Sequence, residues 1–187
     1  MKIELKPLAE SDFLLIVEWV NVHDKDFTFL WAGNTYSYPL TVKQMEDHYR
    51  DGINSINSGV FIYKIVDDET EEMIGTIQLG RMNMAKKEAV VGRFLLKTQE
   101  YRSKGIGTAV LNELVRIGFE DFHLQTIKLN VFHINIQAIR CYEKVGFING
   151  QIREKVYQSS YGEYWDGIEM ILDKEMWQQT QKGIDIL

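Results

Sequence analysis

The sequence predicts an α/β domain with a central mixed, mostly antiparallel sheet flanked by helices. Three observations carry this reading. Runs with the two-residue apolar period of strands alternate along the chain with runs of helical period. Proline occurs only at Pro7 and Pro39, and no repeat, low-complexity run or linker divides the 187 residues, so residues 1–187 read as a single domain. Twice, a β-branched run leads directly into a helix with its own start signals: Ala89–Leu96 ahead of Gly105, and Ile127–Phe132 ahead of Asn135.

The elements follow in order. Lys2–Leu5 is a short strand, and Ser11 or Asp12 is placed to cap a helix running to about Val22. Asp24–Leu40 reads as a looser segment carrying Phe27, Phe29, Trp31, Tyr36 and Tyr38. Thr41 with Gln44 makes a capping-box pattern for a second helix, about Val42–Asn57. Three antiparallel strands come next, Val60–Asp67, Met73–Asn83 and Glu88–Leu96, with polar turns at Asp67–Thr70 and Met84–Lys87. A helix over Gly105–Phe122 follows, then a strand at Thr126–Phe132 and a helix at Asn135–Val145. A hairpin of about Phe147–Gln158 and Glu163–Leu172 closes the chain.

Composition narrows the function. A hydrophobic content of 45% is ordinary for a globular chain. No run of about 18 apolar residues exists, so no transmembrane helix is expected. The N-terminus carries Glu4 and lacks the apolar core of a signal peptide. The one cysteine, Cys141, cannot form an internal disulfide, and a reducing, cytoplasmic location is expected. No Cys/His spacing suggests a metal site. A net charge of −6 argues against nucleic-acid and anionic-membrane partners and is compatible with cationic ones.

The most informative stretch is Arg102-Ser103-Lys104-Gly105-Ile106-Gly107, between a strand and a helix. The first turn of a helix has unpaired N–H donors and the positive end of the helix dipole. Gly105 and Gly107 let a phosphate approach the backbone, and Arg102 and Lys104 add positive charge. The local chemistry is that of a pyrophosphate cradle. A P-loop would need a lysine after its last glycine, where Thr108 stands, and a dinucleotide fingerprint would need a third glycine, where Val110 stands. The pattern that fits is R-x-x-G-x-G. Further on, Asn135-Ile136-Gln137-Ala138-Ile139-Arg140-Cys141-Tyr142-Glu143-Lys144-Val145-Gly146-Phe147 reads N-x-x-A-x-x-x-Y-x-x-x-G-F. Asn135 is suited to cap a helix, Ala138 and Tyr142 share one face, and Gly146 is placed as a left-handed stop.

These two motifs, in this order and separation, resemble those of the GNAT superfamily of N-acetyltransferases. Leu5-Lys6-Pro7-Leu8 with Asp12 and Trp19, and the tail Gly162–Met170, are similar to the RimJ/RimL-like branch, which acetylates ribosomal proteins, polyamines and antibiotics. The resemblance implies the GNAT fold, in which two strands splay apart. It implies acetyl-coenzyme A as cosubstrate and acetyl transfer to a primary amine by direct attack in a ternary complex. The implied cofactor-binding residues are Leu95, Leu96 and Lys97 for the pantetheine arm, Arg102, Ser103, Lys104, Gly105, Ile106, Gly107 and Thr108 for the pyrophosphate, and Asn135, Ala138 and Tyr142 on the second motif. Tyr142 is the implied proton donor to the leaving thiolate. A coenzyme A-binding regulatory module without turnover is the alternative.

The general base has no clear sequence signal. Some relatives carry a glutamate on the strand before the second motif, where this chain has Asn130. Glu88, His133 or a water chain are the candidates, and an amine that loses its proton to water before attack needs none. The acceptor site is expected in Asp24–Leu40 and the Tyr157–Tyr164 hairpin tip, with Asp24, Asp26, Glu46 and Asp47 as candidate holders of an ammonium. The apolar tail residues Met176, Trp177, Ile184, Ile186 and Leu187 make a homodimer the expected assembly.

Overall fold

The structure, a computed structural model, describes residues 2–101 and 105–184, without the side chains of Gln99 and of residues 181–184. The order is β1 (Ile3–Pro7), α1 (Phe13–Asn21), α2 (Lys25–Ala32), α3 (Val42–His48), β2 (Phe61–Asp67), β3 (Met73–Asn83), β4 (Glu88–Leu96), α4 (Ile106–Arg116), β5 (Thr126–Phe132), α5 (Ile136–Val145), β6 (Ile148–Gln158), β7 (Tyr164–Asp173) and α6 (Lys174–Ile184). The strands form a seven-stranded sheet in the order β1-β2-β3-β4-β5-β7-β6. Pairs β1–β2, β2–β3, β5–β7 and β6–β7 are antiparallel, and β4–β5 is parallel. This is the expected mixed, mostly antiparallel sheet with flanking helices.

The chain gathers into two compact units, and β3 and β4 each contribute residues to both. The first unit comprises Met1–Gly80 and Gly92–Lys104. Its helix α1 buries Phe13, Ile16 and Val20, a helical spacing that puts all three on one face. They pack in a core with Leu8, Tyr36, Leu40, Met45, Tyr49, Ile62 and Leu95. The segment expected to be loose contains α2 instead. Asp24 accepts a hydrogen bond from Phe27 N (2.9 Å), so it is an N-cap, and Phe27, Phe29 and Trp31 behind it are helical. The second expected helix is shorter than its apolar pattern. It ends at His48, and Gly52 (φ 92°) and Asn54 (φ 56°) then turn the chain. Asn54 fixes that turn by donating to Leu8 O (2.7 Å) and accepting from Ile62 N (2.8 Å). Half of the capping box forms: Thr41 accepts from Gln44 N, while the Gln44 side chain turns to Ser37 N and Pro39 O.

The second unit comprises Arg81–Val91 and Gly105–Leu187. Helix α4 buries Ile106, Val110, Leu111, Leu114 and Val115 on one face, then widens into a π turn over Ile117–Asp121. Lys174 Nζ donates to the freed Phe119 carbonyl (2.7 Å). Strand β5 alternates as its sequence does, with Ile127, Leu129 and Val131 buried. Its parallel register with β4 runs only from Glu88↔Thr126 to Val91↔Leu129, while its register with β7 covers the whole of β5. Of the expected apolar tail, Met176, Trp177 and Ile184 lie in α6, while Ile186 and Leu187 lie outside the described residues; Trp177 is buried, its ring 5.4 Å from that of Phe119. The apolar face of that turn therefore packs within its own unit. Among the described residues no helix is long and apolar enough to cross a membrane, and no group of three or more His, Cys, Asp and Glu side chains is placed to hold a metal ion.

Candidate active site

In the second unit, the start of α4 has the form the glycine-rich turn implied. Gly105 is the N-cap residue, in the left-handed region at φ 78°, and no side chain caps the helix. A non-glycine residue is strained at that φ. An ideal Cβ built on Gly105 meets no atom of the described residues within 4 Å, so none of them fills the space beside the turn. The first intrahelical bond is Ala109 N to Gly105 O (3.0 Å), which leaves the N–H groups of Ile106, Gly107 and Thr108 ahead of the helical ladder. Ile106 is buried and anchors this turn. Arg102, Ser103 and Lys104 lie outside the described residues.

Helix α5 supplies the second motif. Asn135 accepts from Ala138 N (3.3 Å), the predicted cap, which leaves its side-chain amide N–H groups to donate elsewhere. Gly146, at φ 108°, closes the helix by bonding back to Glu143 O and Tyr142 O. The Tyr142 ring sits edge-on to Phe147 at 6.1 Å. Burial, and secondarily its neighbour Cys141, pushes the Tyr142 hydroxyl above the ordinary phenol range. The two motifs meet where Thr108 Oγ1 lies 3.5 Å from Cys141 Sγ, the first turn of α4 touching α5. Burial raises the Cys141 thiol above its ordinary range, against the opposing pull of the Thr108 hydroxyl.

The candidate bases are occupied by structural partners. His133 Nδ1 accepts from Asp166 N (2.9 Å), and His133 N donates to Asp166 O (2.9 Å), so this side chain ties the end of β5 to β7. Glu88 is paired with Lys128 (3.2 Å), and Asn130 Oδ1 accepts from Arg153 (2.6 Å).

In the first unit, Leu95 belongs to the core by its side chain, so any contact it makes with a cosubstrate is through its backbone. Lys97 N donates to Ile74 O (2.8 Å), which leaves only the Lys97 carbonyl for such a contact, and Lys97 Nζ is held by Glu72. The acids expected to hold an ammonium differ in their surroundings. Asp24 caps α2, Asp26 is buried within it, and Asp47 pairs with Lys43; Glu46 is exposed.

The sequence reading missed Arg93. It sits in β4 at φ 47°, with its guanidinium 5.4 Å from the Tyr36 ring centroid and 5.9 Å from that of Tyr49. Its nitrogens reach Gln78 Oε1 (3.0 Å), Thr35 Oγ1 (3.1 Å) and His48 Nε2 (3.2 Å). The available signal was a charged residue inside an otherwise apolar strand, Val90-Val91-Gly92-Arg93-Phe94.

Comparison with known proteins agrees with this architecture. Residues 2–148 match the acetyltransferase (GNAT) domain family. An uncharacterised prophage-derived N-acetyltransferase of Bacillus subtilis is 28% identical over 105 residues, 56% of this chain and 57% of that protein. An aminoglycoside N(6')-acetyltransferase of Klebsiella pneumoniae is 26% identical over 78% of this chain and 73% of its own. The spermidine N(1)-acetyltransferase of Vibrio cholerae is 23% identical over 88% and 89%. A crystal structure of the Vibrio cholerae spermidine N-acetyltransferase with CoA and spermine has the same fold, with a TM-score of 0.78 at 20% identity over 94% of this chain and 98% of that one. Relatives named for acetyl transfer do not favour a module without turnover. The match over residues 2–148, together with the sheet and the two helix starts described above, places this chain in the GNAT superfamily of acetyl-coenzyme A-dependent N-acetyltransferases.

Proposed function

We propose that residues 1–187 form one acetyltransferase domain that moves the acetyl group of acetyl-coenzyme A to a primary amine by direct attack in a ternary complex. The observation that carries this is the start of α4: a left-handed glycine, no side-chain cap, and first-turn N–H groups beside a space that none of the described residues fills. Those N–H groups, with Thr108 and the basic residues Arg102 and Lys104 and with Ser103, would hold the pyrophosphate. The backbone of Leu95 and Leu96 and the carbonyl of Lys97 would bond the peptide-like arm, and the Asn135 amide would donate to it. Ala138, half-buried and small, leaves room on the α5 face that carries Tyr142.

Acetyl-coenzyme A supplies an acetyl group already activated as a thioester. The neutral amine nitrogen forms a bond to the acetyl carbon, the carbon–sulfur bond breaks, and Tyr142 gives its proton to the departing sulfur. The nitrogen's surplus proton passes through water to restore the phenol. His133, Glu88 and Asn130 already have partners, so the amine is taken to lose its first proton to solvent before attack.

The expected setting is the cytoplasm, in keeping with a single half-buried thiol. A net charge of −6 supports a protein without nucleic-acid or membrane partners. A homodimer is proposed, supported by the exposed Ile148, Ile152 and Val156 of β6.

The test is Gly107→Asp, which puts a side chain and a negative charge where the phosphate should lie. Coenzyme A affinity by calorimetry should fall at least tenfold, about 1.4 kcal/mol. Unchanged affinity in a folded variant would sink the assignment.

A further inference from the structure

The first unit contains a second, unexplained constellation around Arg93. Among the described residues it has three buried side-chain polar atoms without a hydrogen-bond partner: Trp31 Nε1, Tyr36 OH and Arg93 Nε. All three belong to side chains stacked on one another. Trp31 and Tyr36 stack at 5.9 Å between ring centroids, and the Arg93 guanidinium lies over Tyr36. Tyr36 is itself 7% exposed. Indole and guanidinium nitrogens can only donate, and a phenol donates readily. A buried donor left unpaired costs free energy, and such groups in a folded protein call for a physical explanation.

Among the described residues the Arg93 guanidinium has no carboxylate hydrogen-bond partner; it reaches Gln78, Thr35 and His48. No ion pair of Arg93 occurs among the described residues. Gln78 cannot serve the orphaned donors, because its Oε1 already accepts from both Arg93 and the Tyr49 hydroxyl (2.7 Å). A guanidinium fork held without a carboxylate and flanked by spare donors matches a planar, acceptor-only anion. It is a poor neighbour for a polycation. Arg93 lies on β4 two residues before Leu95–Lys97, the segment proposed above to bond the acyl-carrying arm.

We infer that Arg93, Tyr36 and Trp31 form a carboxylate-recognition site and that the acceptor is an amine bearing a carboxylate, of the amino-acid or short-peptide class. The assignment of that carboxylate to the acceptor rests on the acetyl-transfer reading; the existence of the site does not. It sets this chain apart from relatives named for spermidine and aminoglycosides, whose acceptors are cationic.

Two measurements test it. In the first, sodium acetate is titrated into the full chain at ionic strength held constant with KCl, with acetamide as the neutral isostere. Tryptophan fluorescence, to which Trp31 contributes, is followed. Acetate should give a saturable change and acetamide none. Arg93→Gln should weaken the acetate response at least tenfold, and Tyr36→Phe by a smaller factor; Tyr36→Phe carries the test if Arg93→Gln does not fold. Equal responses to acetate and acetamide, or an acetate response retained in Arg93→Gln, would overturn the site. In the second, thiol release from acetyl-coenzyme A is measured with amino acids and dipeptides, each as free acid and as primary amide, alongside spermidine and kanamycin. The free acids should exceed their amides at least tenfold in kcat/KM, and Arg93→Gln should bring that ratio towards one. Equal rates, or preference for the polycations, would overturn the acceptor class. Failure to bind coenzyme A in calorimetry would remove the acetyl-transfer reading and leave the acetate result standing.

Discussion

Gly75 on β3 lies directly against the strand segment proposed to hold the acyl-carrying arm. A Cβ built on it would stand 2.3 Å from the Leu95 carbonyl oxygen, 3.0 Å from Ile65 Cδ1 and 3.1 Å from Leu96 Cδ2. A tolerable carbon–oxygen contact is about 3.3 Å, so Gly75→Ala must open a gap of roughly 1 Å. The carbonyl is backbone, so no rotamer change relieves the contact and β4 itself must move. Overpacking of this kind costs about 1–3 kcal/mol, and a backbone obstacle belongs at the upper end. For a chain of this size about 3 kcal/mol corresponds to roughly 6–12 °C in Tm. A displacement of ~1 Å at a cosubstrate-positioning strand also costs up to about 10²-fold in turnover. The assay is thermal unfolding with coenzyme A calorimetry and steady-state kinetics, set beside Gly92→Ala. Gly92 is on β4 with no atom within 4 Å of an added Cβ, and its substitution should stay within about 0.5 kcal/mol of wild type. A Gly75→Ala protein with wild-type Tm would refute the packing argument. A lower Tm with unchanged coenzyme A affinity would instead remove Leu95 and Leu96 from the cosubstrate's contacts.

Three further outcomes are expected. Tyr142→Phe should lower kcat about 10²-fold, the low end of the range for a proton donor because burial makes this phenol a weak acid, while coenzyme A affinity is unchanged; full turnover would assign the hydroxyl to structure. Burial raises Tyr36, Tyr49 and Tyr142 in the folded chain above the unfolded phenol value near 10. Their contribution to stability is complete below about pH 10 and is lost as pH rises through the folded values, because the unfolded chain releases its protons first. Urea midpoints should therefore fall above about pH 10, less steeply in Tyr36→Phe, and a flat profile would contradict this. Asn54→Ala should cost about 2–4 kcal/mol in chemical denaturation, since it leaves Leu8 O and Ile62 N without their partner, and a loss under 0.5 kcal/mol would show that water replaces it.

The strands β3, β4 and β5 have the boundaries their residue patterns predict, because each is an apolar, β-branched-rich run bounded by polar turns. Helix α5 is legible for a different reason: Asn135 and Gly146 mark both ends chemically. The elements that escape prediction are those in which one long-range contact decides. The helical expectation runs on past His48, yet the Asn54 side chain ties the chain to Leu8, just after β1 and 46 residues away, and to Ile62 of β2. Helix α2 is masked by its aromatics, although Asp24 is an ordinary cap signal. The Arg93 constellation draws on α2, α3, β3 and β4, and no linear spacing encodes it. His133 looked like a base from its place beside the second motif, but the Asp166 backbone that occupies its ring nitrogen arrives from β7.

Strand β6 has a consequence for how copies of this chain can meet. Its residues Ile148–Gln158 span only Tyr164–Ile171 on β7, so eleven residues face eight, with irregularities between Asn149 and Ile152 and between Arg153 and Tyr157. Three surplus residues break the even comb of amide and carbonyl groups that an incoming strand would have to match. The outer border of the sheet is thereby closed to fibre-like, strand-by-strand growth, even though Ile148, Ile152 and Val156 are exposed along it. Any self-association there must proceed through side-chain packing, which is finite and reversible and stops when the apolar patches are covered.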